Sequence, residues 1–245
     1  MKIVAINGSP KGRDSNTNVM ITAFLKGAQE AGAETINVFL AEKDIKYCKG
    51  CLSCRFNHGQ CVINDDMTEI VSLENGADVL LLATPLYIYD ISGTLKVYMD
   101  RSIMKSYDLG YGYMEKTATG EYRSTAKPER QIPKIIMMSN CGNTGRSHFQ
   151  VISHWIKRTA FMMNTEVIGE IYATQGMLLT SKNKKVEPII SGYLQLLNKA
   201  GKEIATNKLM SVTTEKALEK SFVPDEIYIQ GLNHQIDIMR KSHGR

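Results

Sequence analysis

Cysteine is scarce in this chain and tryptophan nearly missing: of 245 residues, five are Cys, one is Trp and six are Pro. No stretch reaches the roughly 18 uninterrupted apolar residues that a bilayer span requires, and ADVLLLATPLYIYD is stopped by Pro85 and Asp90. The amino terminus MKIVAINGSP has one lysine and an apolar run broken by Asn7 and Gly8, too short for the h-region of a secretory signal. The expectation is a cytoplasmic protein with no membrane partner. Strong charge is missing as well. A formal net charge of +5 is small for this length and the basic residues are scattered, which disfavours a nucleic-acid partner. The densest basic run, KNKK at 182–185, reads as a solvated loop. Internal repeats and low-complexity segments are absent.

What is present is an alternation of short apolar runs with helical patterns, in a chain whose 43% hydrophobic content suffices for a well-buried core. KIVAIN (2–7) reads as a strand and runs through GSPKGRDSN into a helix with apolar positions Val19, Ala23, Phe24, Ala28 and Ala31. ETINVFLA (34–41) is a second strand, followed by the cysteine segment and a helix carrying Met67, Ile70, Val71 and Leu73. ADVLLLATP is almost continuously apolar, the pattern of a strand covered on both faces. TLKVYMDRSIMK is a helix, IPKIIMMSN a fourth strand, SHFQVISHWIKRTAFMM a helix and TEVIGEIYA a fifth strand. Helices are expected around 186–206, 213–220 and 224–242. Between them, residues 106–131 hold Tyr107, Tyr111, Tyr113 and Tyr122 without a clear period and read as an insertion, either a lid or a surface loop.

Five strand–helix alternations imply an α/β, doubly wound parallel sheet with right-handed crossovers, in the flavodoxin-like order 2-1-3-4-5. Residues 1–206 are expected to form that unit and 207–245 a carboxyl-terminal helical extension. Ligands of such sheets bind beyond the carboxyl ends of the strands. The loop after strand 1, from Gly8 to Asn18, is rich in hydroxyls and amides and opens a helix, a setting that favours phosphate. It lacks a GK[ST] ending, which disfavours a nucleoside triphosphatase, and lacks GxGxxG, which disfavours a dinucleotide. Without a cysteine there, a low-molecular-weight phosphatase is disfavoured; strand 3 ends in Thr84-Pro85 and not in an aspartate, which disfavours a receiver domain. Thr84 to Tyr89 offers an apolar, aromatic surface and Ser139 to Gly145 a small polar one. Together they describe a slot for a flat heterocycle with a phosphate tail, the shape of FMN.

The stretches GSPKGRDSNT, CKGCLSC with CVINDDM, ATPLYIYDISGTLKVYMDR and SNCG resemble the NADPH-dependent FMN reductase family, and more narrowly its iron–sulfur flavoprotein branch. The likeness covers about residues 1–105 and 132–175. The resemblance implies a flavodoxin-like fold, tightly held FMN and a homodimer or homotetramer. It assigns Ser9, Lys11, Ser15, Asn16 and Thr17 to the phosphate, and Pro85, Leu86, Tyr87, Ile88 and Tyr89 to the border of the isoalloxazine. Asn140, Cys141 and Gly142 fall on the other side of the ring. Asp100-Arg101 reads as structural, a salt bridge or cap.

Four of the five cysteines stand in C-x2-C-x2-C-x6-C: Cys48, Cys51, Cys54 and Cys61. A reducing compartment makes a disulfide knot the weakest reading. Three thiols at two-residue intervals suit a cubane, whereas zinc more usually takes two separated pairs. A 4Fe-4S cluster and free, redox-active thiols both stand as readings. His58 is read as an exposed loop residue and Cys141 as a small buried one beside the flavin. The function expected is NAD(P)H-dependent flavin oxidoreduction, with NAD(P)H as reductant and a small-molecule or protein electron acceptor. The cofactor carries the chemistry, so no catalytic side chain is named. The alternatives are a non-enzymatic flavodoxin-like electron carrier and an FMN-free scaffold.

Overall fold

The computed structural model describes residues 1–108, 113–124 and 132–242. In chain order the strands are β1 (Lys2–Asn7), β2 (Glu34–Phe39), β3 (Val79–Pro85), β4 (Met114–Lys116), β5 (Tyr122–Ser124), β6 (Lys134–Asn140) and β7 (Val167–Ala173). The helices are α1 (Asn16–Glu30), α2 (Ser53–Phe56), α3 (Met67–Glu74), α4 (Gly93–Arg101), α5 (Ile103–Asp108), α6 (Gln150–Met162), α7 (Glu187–Asn207), α8 (Val212–Leu218) and α9 (Asp225–Ser242).

Five parallel strands form one sheet in the order β2-β1-β3-β6-β7, the expected 2-1-3-4-5 once the small β4–β5 pair is set aside. Successive side chains of a strand point to opposite faces, and the sheet sorts its apolar residues accordingly. Ile3, Ala5, Leu81, Ala83, Ile136 and Met138 join Phe24 of α1 and Leu197 and Ile204 of α7. Val4, Ile6, Leu80, Leu82, Ile135 and Met137 join Met67 of α3, Leu95 and Tyr98 of α4 and Ile156 of α6. β3 is buried at every position, hence its unbroken apolar run.

On the first face α1 and α7 approach so closely that only glycine fits at two crossing points. A Cβ on Gly27 would lie 1.8 Å from the Asn198 carbonyl oxygen, and one on Gly201 would lie 2.0 Å from that of Phe24. The region beyond Asn207 continues the same layer, with Met210, Leu218 and Phe222 buried in it.

Two expected elements differ in extent. β2 stops at Phe39, because Leu40–Glu42 turns as a 3-10 segment that buries Leu40. The helix expected through Lys105 is interrupted at Ser102, whose N–H is shared between the Tyr98 carbonyl at 2.9 Å and the Met99 carbonyl at 3.2 Å, the tightened last turn common at helix ends. In the Tyr-rich stretch β4 and β5 pair antiparallel, with Glu115 opposite Arg123. Arg123 lies over the Phe161 ring at 5.4 Å, near the carboxyl end of α6. The stretch connects the end of α5 to the start of β6, so this hairpin sits toward the amino rim of the sheet, away from the strand ends that would hold a ligand. Tyr111 lies outside the described residues. Among the described residues no helix is long and apolar enough to cross a membrane.

Candidate functional site

The loop after β1 is pinned by its own side chains. Asn7 Oδ1 accepts from the Ser9 N–H at 3.1 Å, and Ser15 Oγ both donates to the Gly12 carbonyl at 2.7 Å and accepts from the Asn18 N–H at 3.0 Å. Ser15 is thus the N-cap of α1, and its hydroxyl is committed to that task. The N–H groups of Asn16 and Thr17 fall in the first turn, where the helix itself supplies no acceptor. Arg13 is held by Glu42 at 2.7 Å and lies 4.4 Å over the Phe39 ring, which leaves Lys11 as the cation of the loop.

The loop after β3 is locked to the first. Ser92 Oγ donates to the Gly8 carbonyl at 2.6 Å and caps α4 by accepting from Leu95 N–H, while Thr84 Oγ1 accepts from Ser92 N–H at 2.9 Å. Tyr87 and Asp90 exchange two backbone hydrogen bonds of 3.0 Å around Ile88 and Tyr89. Both enclosed residues have positive φ, +48° and +63°. That is the geometry of a two-residue hairpin turn that favours Asn-Gly; a β-branched residue there is strained.

The loop after β6 closes the other side. Asn140 Nδ2 donates to Thr17 Oγ1 at 2.9 Å, tying it to α1. Cys141 is buried, and burial pushes its thiol up, so it stays protonated at neutral pH. The Gly142 carbonyl accepts from the Tyr228 hydroxyl at 2.7 Å, which docks the start of α9 on this loop.

These three loops enclose a cleft of about 170 Å³ lined by Ser9, Lys11, Ser15, Asn16, Thr17, Pro85, Leu86, Tyr87, Asn140, Cys141, Gly142 and Met177. The expected site residues therefore converge, all but Ile88 and Tyr89. Ile88 is 92% exposed and Tyr89 packs instead on His148, with ring centroids 5.4 Å apart. A larger hollow of about 610 Å³ lies between α1 and α7, lined by Thr22, Lys26, Gln195 and others. It lies away from the convergent loops, so volume is a poorer guide than the donors here. The donor set of the smaller cleft fits a phosphorylated flavin: a lysine, hydroxyls and helix-terminal N–H groups for the anion, with backbone and apolar side chains beyond.

Sequence reasoning overlooked Met177 and Gln175, which follow β7. Gln175 is fully buried with φ +55°, and its amide binds Val223 N–H, Val223 carbonyl and Asp225. No local pattern marks either residue. Met177 reaches the cleft, and Gln175 reaches the loop after β6 by donating its N–H to the Asn143 carbonyl at 2.8 Å, because the strand order sets β7 beside β6.

The cysteine segment is closed at its neck. Arg101, whose side chain is 1% exposed, donates to the Lys46 carbonyl at 2.9 Å and to both oxygens of Asp65 at 2.5 and 3.1 Å. Asp65 also accepts from the Lys46 N–H at 2.9 Å, and Asp66 from the Asp44 N–H at 2.8 Å. Burial works to raise the Asp65 carboxyl, but the Arg101 guanidinium and the backbone donors outweigh it and hold it low. Asp100-Arg101 is thus structural, as expected, through the buried Arg101. Within the neck, Cys54 is buried, Cys61 half-buried, and Cys48 and Cys51 exposed. Burial, with Cys61 nearby, raises the Cys54 thiol, and a hydrogen bond from Ser53 lowers Cys51. Four thiols suit an iron–sulfur cluster chemically, yet among the described residues no three Cys, His, Asp or Glu side chains converge as metal ligands.

An FMN-dependent NADH-azoreductase from Bacillus anthracis, solved in complex with FMN, superposes with a TM-score of 0.58 at 19% identity, covering 84% of this chain and 99% of that one. An NAD(P)H:quinone oxidoreductase from Methanothermobacter marburgensis superposes at 0.57 with 17% identity, covering 83% and 96%. At such identities the likeness concerns the fold. In sequence, an iron–sulfur flavoprotein of Methanosarcina thermophila is 39% identical over 104 residues, 42% of this chain and 53% of that protein. One from Archaeoglobus fulgidus is 36% identical over 122 residues, 50% of this chain and 51% of that protein. The chain spans about half the length of the curated relatives it matches. Residues 1–118, which carry the phosphate-type loop, the cysteine segment and the β3 loop, match the NADPH-dependent FMN reductase family.

Proposed function

We propose that this chain is an FMN-dependent NAD(P)H oxidoreductase, with FMN seated in the cleft between the loops after β1, β3 and β6. The observation that carries the reading is the convergence of Lys11, the α1 amino terminus and the Pro85–Tyr87 and Asn140–Gly142 backbones on one cleft. When bound, the flavin supplies hydride acceptance from a nicotinamide and electron delivery to an acceptor. The protein's own part is positional. Lys11 and the first-turn N–H groups of α1 hold the phosphate, and Ser15, as N-cap, keeps those donors aimed. Pro85, Leu86 and Tyr87 border the ring on one side, and Asn140, Cys141 and Gly142 on the other. The cleft is too small to enclose a whole FMN, which leaves part of the ring on the outer surface formed by Tyr87, Ile88 and Tyr89, each 45% exposed or more.

In this reading residues 1–206 form the flavin unit and 207–245 an extension that seals one wall through Tyr228. Cys48, Cys51, Cys54 and Cys61 would be the ligands of an iron–sulfur cluster. The support is their spacing and the names of the matched relatives; since the thiols are not gathered as placed, no electron step is drawn through them. Anaerobically purified protein should show flavin absorption and oxidise NAD(P)H with a soluble acceptor. Colourless protein that takes up no FMN removes the reading, and flavin without turnover favours an electron carrier. Iron and sulfide analysis of the same sample decides the cluster separately.

A further inference from the structure

α9 is eighteen residues long, yet Tyr228 is the one side chain it buries. Leu232 is half-buried and every residue from 233 to 242 is exposed. Ile227, Ile229, Ile236 and Ile238 stay between 39% and 59% exposed. Even its inner side is loosely covered: a hollow of about 470 Å³ separates Ile227, Leu232 and Gln235 from Met177 and Val186. In proteins most of a helix's stability comes from packing an amphipathic face and not from intrinsic propensity.

The exposed pattern indicates what covers it. Ile229 and Ile236 are exposed seven residues apart, with the half-buried Leu232 between them at the inner edge, the spacing of a helix–helix seam. The first turn carries Asp225 and Glu226 and the last Arg240 and Lys241. A second α9 running antiparallel would set each acidic start against a basic end, in agreement with the helix dipoles. One register satisfies both requirements. Placing Ile229 of one copy against Ile236 of the other also places Asp225 against Arg240, at both ends of a two-fold contact.

We infer that α9 pairs antiparallel with α9 of a second copy of this chain, in that register. The contact is independent of the flavin reading. Its helix is anchored at the cleft by Gln175 and by the Tyr228–Gly142 hydrogen bond, so it joins two copies near their β6 loops.

Sedimentation equilibrium of the full chain over a concentration series tests this. Ile236→Asp, which puts a carboxylate in the seam at an exposed position, is expected to weaken association by roughly a hundredfold. Asp225→Arg and Arg240→Glu should each weaken it by about fivefold, and the two together should recover it, since the swap restores opposite charges. A chain that is monomeric at about 100 μM, an Ile236→Asp variant that associates as tightly as the parent, or a double swap no tighter than the single ones would each overturn the pairing.

Discussion

Arg101 and Asp65 meet through two hydrogen bonds, 2.5 and 3.1 Å long, with both side chains almost wholly removed from solvent. The guanidinium also takes the Lys46 carbonyl, so one residue of α4 grips both the entry and the exit of the cysteine segment. Burying an ion pair is costly, but leaving one partner alone costs more. Arg101→Leu is expected to lower stability by about 3–5 kcal/mol in urea unfolding, and Arg101→Met combined with Asp65→Leu to recover much of that loss. Equal destabilisation in the single and double variants would contradict the coupling.

The same pair predicts an acid response. The folded Asp65 carboxyl is held below its ordinary value of 3.8. Its contribution is fully present above the unfolded pKa and is lost as pH falls through the depressed folded value. Stability measured from pH 6 down should therefore decline below about pH 4, and the slope should shrink in the double variant. An unchanged slope would show that other carboxylates dominate.

Ile88 occupies the left-handed region with its side chain in solvent. Ile88→Gly relieves that strain and is expected to stabilise the fold by about 1 kcal/mol. Chemical denaturation checks the sign; a loss of stability would mean that the side chain packs on something in solution.

Gly27 and Gly201 let the α1 and α7 backbones touch. Alanine at either site drives a methyl group into a carbonyl oxygen that belongs to a helix and cannot swing aside. A cost of about 3 kcal/mol or more is expected, read as a fall in thermal midpoint, whereas Gly192→Ala, with open space around it, should be tolerated.

Lys11 is the cation of the cleft, and Lys11→Gln should weaken FMN binding by roughly ten- to a hundredfold, the range of one charge-assisted hydrogen bond. Flavin fluorescence quenching measures it. Lys26→Gln, on the α1–α7 groove, serves as the control and should leave binding unchanged.

Much of this architecture was legible before any coordinate. The alternation of Ile3, Ala5 with Val4, Ile6 and the unbroken run of β3 require a sheet covered on both faces, and the polar loop before Asn16 requires a helix start. Such features are local: they depend on neighbours within a few residues. Arg101 shows the opposite case. In sequence it is one half of an unremarkable Asp-Arg pair, while its real partner is Asp65, 36 positions away.

The chain's own pattern determined the strand order and the identity of the three loops that enclose the cleft, because periodicity and turn chemistry act at short range. Only the tertiary structure decided that Met177 joins the lining of that cleft, that Tyr228 docks on the loop after β6, and that Ile88 projects into solvent while Tyr89 meets His148. Those outcomes depend on which distant segments the sheet brings side by side and on which groups it buries, and no residue encodes either alone.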